Sequence, residues 1–165
     1  MSQRNIDDGD KAPASECAAG NHGARDPFDA NRDLLELFEP GSSERGKQTF
    51  RPLFPDLVDR VVDDLYGFAY RRGGLTLETR QLLTLAVLGT MGHCEVQLRF
   101  HLRAALNLGI GVDTIREVFV QIAVLAGNVR AVNACALLQD VLADHAPRRP
   151  AAEGAAIHND RETTT

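Results

Sequence analysis

An all-α fold is predicted by three features of the sequence: apolar residues recur at intervals of three and four through its middle, the alternation typical of strands is missing, and Gly or Pro punctuates each apolar stripe. The first stripe is Phe50, Leu53, Phe54, Leu57, Val58, Val61, Val62, Leu65 and Ala69. Proline is tolerated only in a first turn, so the continuous helix starts near Pro55 and stops before Arg71-Arg72-Gly73-Gly74. A second helix, Leu77 to Leu88, has Thr76 as its N-cap and Glu78 near the positive end of its dipole, and is expected to end in Gly89-Thr90-Met91-Gly92. The third, from about His93 to Leu108, is stopped by Gly109, which can take the left-handed conformation. A fourth begins near Gly111, carries Ile115, Val118, Phe119, Ile122 and Ala123, and breaks at Ala126-Gly127. The fifth, about Arg130 to Asp144, closes the domain ahead of Pro147.

The 165 residues fit one domain. Residues 1–45 and 147–165 are rich in small and polar types without apolar periodicity, and are expected to be disordered tails flanking a domain at 46–146. Helices two to five are apolar on more than one side, more than a domain of this size can cover, which predicts a homo-oligomer. No secretory leader or membrane-length apolar run is legible, so a cytoplasmic protein without a membrane partner is expected. The net charge of −5, the lack of a basic cluster and the 5% aromatic content argue against a nucleic-acid partner and leave a small-molecule substrate. Cys17, Cys94 and Cys135 are widely spaced, with no CxxC pair and no zinc-type pairing with histidine, so neither a disulfide framework nor a metal site is expected.

Candidate chemistry gathers on the third helix. Cys94, Gln97 and His101 are spaced by three and four and share one face. An imidazole exchanges protons near neutral pH, and an amide one turn away can orient a substrate carbonyl or fix the tautomer. A hydrogen-bonded core histidine beside a buried thiol is the plainer alternative on spacing alone. Cys94 lies near a helix start, where the dipole and His93 would lower its pKa. Arg80, Arg99 and Arg103 are candidates for clamping a carboxylate, although arginines of this kind more often form surface ion pairs. No phosphate loop, HExxH or serine-triad signal is present, and no cofactor is called for.

Five stretches, taken together, resemble the carboxymuconolactone decarboxylase family. They are Tyr66-Gly67-Phe68-Ala69-Tyr70-Arg71-Arg72-Gly73-Gly74-Leu75, Thr79-Arg80-Gln81-Leu82-Leu83-Thr84-Leu85-Ala86, His101-Leu102-Arg103-Ala104-Ala105-Leu106-Asn107-Leu108-Gly109, Ile115-Arg116-Glu117-Val118, and Ala126-Gly127. The resemblance spans about residues 50 to 144. It implies an alkylhydroperoxidase D-like helical bundle that assembles as a ring, a trimer or a hexamer built as a trimer of dimers, with His101 matching the family histidine. Its best-known members release carbon dioxide from a carboxylated muconolactone in aromatic-acid breakdown, without metal or organic cofactor. Tyr70 and Arg72, in the first stretch, join Arg80 as candidate substrate-binding residues beside the catalytic candidates His101, Gln97 and Cys94.

Four positions depart from the decarboxylase pattern. Gln97 stands where a glutamate is usual, Leu125 and Val129 where a tyrosine and a proline are usual, and Gly111 where a threonine often caps the fourth helix. In the alkylhydroperoxidase branch, Cys94 matches the first cysteine of Cys-x-x-Cys and His101 the histidine, while Gln97 takes the place of the second cysteine. Decarboxylation of a small carboxylate- or lactone-bearing substrate is therefore the leading expectation. Isomerisation or cyclisation, thiol-dependent peroxide reduction, and a non-catalytic binding role are the alternatives.

Overall fold

The structure, a computed structural model, describes residues 25–145. Three short helices open it: α1 (Pro27–Ala30), α2 (Arg32–Phe38) and α3 (Ser42–Thr49). The expected boundary of the domain at residue 46 therefore moves towards the N-terminus. Asp26 caps α1 by accepting from the backbone amides of Phe28 and Asp29, and Pro27 occupies the first turn. Few apolar residues lie here, but Phe28, Leu35 and Phe38 are all buried, so tertiary packing holds helices too short to persist alone. The rest of the expected N-terminal tail, and the tail from residue 147, lie outside the described residues.

Next, α4 (Pro55–Val62) runs directly into a π-helical segment, Asp63–Ala69, closed by the Tyr70 amide donating to the carbonyl of Leu65. Four longer helices follow: α5 (Leu77–Met91), α6 (Glu95–Asn107), α7 (Val112–Ala126) and α8 (Asn128–Asp144). No strand occurs among the described residues. Thr76 caps α5 as expected, accepting from the amide of Thr79. Gly89 does not stop that helix. A Cβ at Gly89 would come within 2.6 Å of Ile122 Cδ1, so this glycine lets α5 and α7 approach closely, and Gly92, at φ 69°, ends the helix instead. At the end of α6, Gly109 (φ 81°) forms a Schellman cap: its amide donates to Leu106 O and that of Ile110 to Ala105 O, each at 3.0 Å.

Two apolar clusters result. Leu85, Leu102, Ile115, Phe119, Ile122 and Leu138 fill the space among α5–α8. Phe28, Phe38, Val62, Tyr66, Tyr70 and Ala104 form the second, which seats the N-terminal helices and the π-helical segment on α6. Polar contacts fasten that seat: Asn107 Nδ2 donates to Phe38 O at 2.7 Å, Arg103 pairs with Glu39, and Arg51 bridges Asp26 and Asp59. No helix among the described residues is long and apolar enough to cross a membrane.

Candidate active site

His101 lies on the face of α6 turned towards α5, with only 6% of its surface exposed. Across from it stands Gln81, which the sequence reading passed over and which is fully buried. Its Nε2 donates to the carbonyl oxygen of His101 at 2.6 Å and lies 3.2 Å from Nδ1 of the same residue. The Oε1 of Gln81 accepts from the Tyr70 hydroxyl at 2.8 Å, and that hydroxyl also meets Thr84 Oγ1 at 2.7 Å. Tyr70, Gln81 and His101 thus form one hydrogen-bonded chain from the end of the π-helical segment through α5 to α6. The rings of Phe38 and Phe100 meet the imidazole nearly edge-on, with centroids at 6.4 and 5.1 Å.

These surroundings set the protonation states. Burial lowers the His101 pKa to about 4, so the imidazole is neutral at pH 7. Burial likewise raises the Tyr70 hydroxyl, against the opposing contact with the Thr84 hydroxyl, and keeps it a donor. No hydrogen-bond partner occurs for His101 Nε2 among the described residues, which leaves that nitrogen for a ligand.

The other candidates sit apart. Cys94 is the residue before the first turn of α6, and its thiol donates to Leu88 O at 3.1 Å. The expected lowering of its pKa is not found: burial, with Glu95 beside it, pushes the thiol up. Cys94 faces a different space, a cavity of about 660 Å³ between the end of α5, the start of α6 and the α7–α8 turn. His101, Gln97, Tyr70, Arg72 and Arg80 do not line it. Gln97 is exposed. Hydrogen bonds connect none of Cys94, Gln97 and His101 to one another, so the shared helix face does not become a shared cluster within one chain.

Among the arginines, Arg80 Nη2 donates to the carbonyls of Arg72 and Gly73, tying down the turn before α5, and its Nε is buried without a partner. Arg72 is exposed and its guanidinium lies 4.9 Å over the Phe68 ring. Arg99 pairs with Asp140 and Arg103 with Glu39, the ion-pair alternative for both. No group of three or more His, Cys, Asp or Glu is gathered to hold a metal among the described residues.

Comparison with known proteins places this arrangement. The family model of the carboxymuconolactone decarboxylase family matches residues 55–140, about half the chain and the whole α4–α8 region up to the last turn. The chain belongs to the carboxymuconolactone decarboxylase family. It is 35% identical over 95 residues to a protein of Acinetobacter baylyi named 4-carboxymuconolactone decarboxylase, covering 58% of this chain and 68% of that one. An uncharacterized 15.0 kDa protein of Paracoccus denitrificans is 26% identical over 116 residues, 70% of this chain and 87% of that one.

Proposed function

We propose that this protein is a carboxy-lyase acting on a small carboxylate- or lactone-bearing acid, with His101 as the catalytic group. The observation that carries the proposal is a buried, neutral imidazole held by one nitrogen and free at the other, in a chain similar to a named decarboxylase. In the reaction the bond from the substrate carbon to its carboxylate breaks, the electron pair moves into an adjacent carbonyl as an enolate, and carbon dioxide leaves. A proton from solvent then reaches the carbon by way of the imidazole. The route needs neither metal nor organic cofactor, because the lactone carbonyl is the electron sink. An anionic substrate against His101 favours its charged form and offsets part of the effect of burial.

In the same proposal, Tyr70 and Arg80 hold the α5 side of the site and Arg72 meets substrate at its rim, while Gln97 and Cys94 approach substrate only where copies of the chain meet. Assembly through the exposed stripe Leu83, Val87 and Met91 of α5 and through Val124 and Leu125 of α7 is part of the reading. Isomerisation or cyclisation is the second reading, favoured by the neutral amide at Gln97. Thiol peroxidase chemistry is disfavoured by the raised Cys94 thiol. The test is carbon dioxide release from a carboxylated muconolactone by the wild type and by His101→Ala. A loss on the order of a hundred-fold or more in a folded variant is expected; unchanged turnover would remove His101 from the mechanism.

A further inference from the structure

We infer that Gln81 is a positioning residue that fixes the tautomer of His101, holding Nδ1 as a hydrogen-bond acceptor so that Nε2 carries the proton and faces substrate as a donor. The inference rests on the proposed role of His101 and adds which nitrogen acts and in which form.

The argument begins with the backbone. A carbonyl oxygen can only accept, and the oxygen of His101 lies 2.6 Å from one end of the Gln81 amide. Placing Oε1 there would set two acceptors against each other at that distance on a fully buried side chain, at the cost of an unsatisfied buried group. The amide nitrogen therefore faces His101, and Oε1 faces the Tyr70 hydroxyl, which donates to it at 2.8 Å. Both ends of the amide agree. One hydrogen of Nε2 is taken by the His101 carbonyl, and the second is left for Nδ1 at 3.2 Å.

Nδ1 also lies 3.4 Å from Oε1, which would suit the opposite tautomer. That contact is the longer of the two, and a proton on Nδ1 would leave the second hydrogen of the buried Gln81 Nε2 without an acceptor. A hydrogen on Nδ1 would point at an NH2 group. The lone pair of Nδ1 is thus the one that meets Gln81, and a neutral imidazole can carry its proton only on Nε2.

The consequence is chemical selectivity at the resting site. An Nε2–H meets substrate oxygens, such as those of a carboxylate, a lactone carbonyl or the enolate formed from it, as a donor. It does not meet them as a base. A carboxylate at position 81 would reverse this, because it would take a hydrogen from Nδ1 and turn the lone pair of Nε2 towards substrate.

The test is 15N magic-angle-spinning NMR at pH 7 on full-length protein labelled only in histidine and sedimented without ligand, with the His101 signals identified by their loss in His101→Asn. A protonated Nε2 and an unprotonated Nδ1 are expected. A protonated Nδ1, or signals averaged between the two forms, would overturn the inference. Gln81→Glu should transfer the proton to Nδ1, and an unchanged tautomer in a folded Gln81→Glu protein would equally overturn it. If that variant does not fold, the wild-type spectrum still decides. No substrate enters the measurement, so its result is independent of whether decarboxylation is the reaction.

Discussion

Lowering the pH from 7.5 to 4 should destabilise this protein through His101, and by an amount that the site itself sets. Burial holds its pKa near 4 against an ordinary value of 6.5. In the unfolded chain the imidazole gains its proton as the pH falls through 6.5, while the folded one stays neutral until about 4. Between these values the unfolded state binds more protons, so stability falls as pH falls. The difference is about 2.5 pH units, and at about 1.4 kcal/mol for each it gives roughly 3 kcal/mol as an upper figure. The comparison variant is His101→Asn, whose side-chain oxygen can accept from Gln81 but cannot titrate. Urea midpoints would be measured for both proteins from pH 7.5 to 4 at one protein concentration, since the proposed assembly would make stability concentration-dependent. Contributions from other histidines and from carboxylates occur in both and cancel. The wild type should lose up to about 3 kcal/mol more than the variant across this window. Parallel curves would refute the reasoning, because they would mean that His101 is solvated or charged in the folded protein.

Three further outcomes are expected. Phe38→Ala removes a fully buried ring that meets Tyr66, Tyr70 and His101 edge-on, and should cost about 3–5 kcal/mol, read as a fall in urea midpoint and in melting temperature; a change near zero would mean that α2 does not dock on α6. Val124→Glu with Leu125→Glu places charge on residues that are 77% and 80% exposed in the single chain, and should reduce the mass seen by light scattering at micromolar concentration to that of a monomer. An unchanged mass would move the interface elsewhere. At pH 7, Cys94 should react with an alkylating reagent more slowly than an unhindered thiol, as followed by peptide mass mapping, because burial and Glu95 disfavour the thiolate; a rate equal to that of a free thiol would reopen thiol chemistry.

The four long helices were legible because each carries enough apolar residues for a period of 3.6 to stand out, and because Thr76 and Gly109 are chemically suited to the caps they form. Helices α1–α3 were missed for the converse reason. A helix of four to eight residues contributes one or two core side chains, and Phe28 or Phe38 alone has no periodicity, although Asp26-Pro27 is a start signal that could have been read. Gly89 reads as a breaker until Ile122 is seen against it. At the site, His101 was visible as a titratable residue on an apolar helix, but its partner was not. Gln81 sits among Leu82, Leu83 and Leu85 with nothing in its spacing to single it out, and only the packing of α5 on α6 reveals that the amide is internal. Spacing put Gln97 and His101 about one turn apart on α6, but Cys94 falls at its non-helical N-cap, and the direction each side chain takes depends on what packs against it.

The seat of α2 on α6 divides the site between two parts of the chain with different standing. Everything that holds His101 by hydrogen bonds lies within residues 55–140, the portion matched by the family model, whereas Phe38, one of the two rings against the imidazole, lies before it. The bundle supplies the imidazole and the amide that meets it, and a neighbouring stretch supplies part of their enclosure. Exchanging that stretch for another would reshape the walls around the imidazole without disturbing the amide that orients it, so selectivity and reactivity in such a protein can change separately.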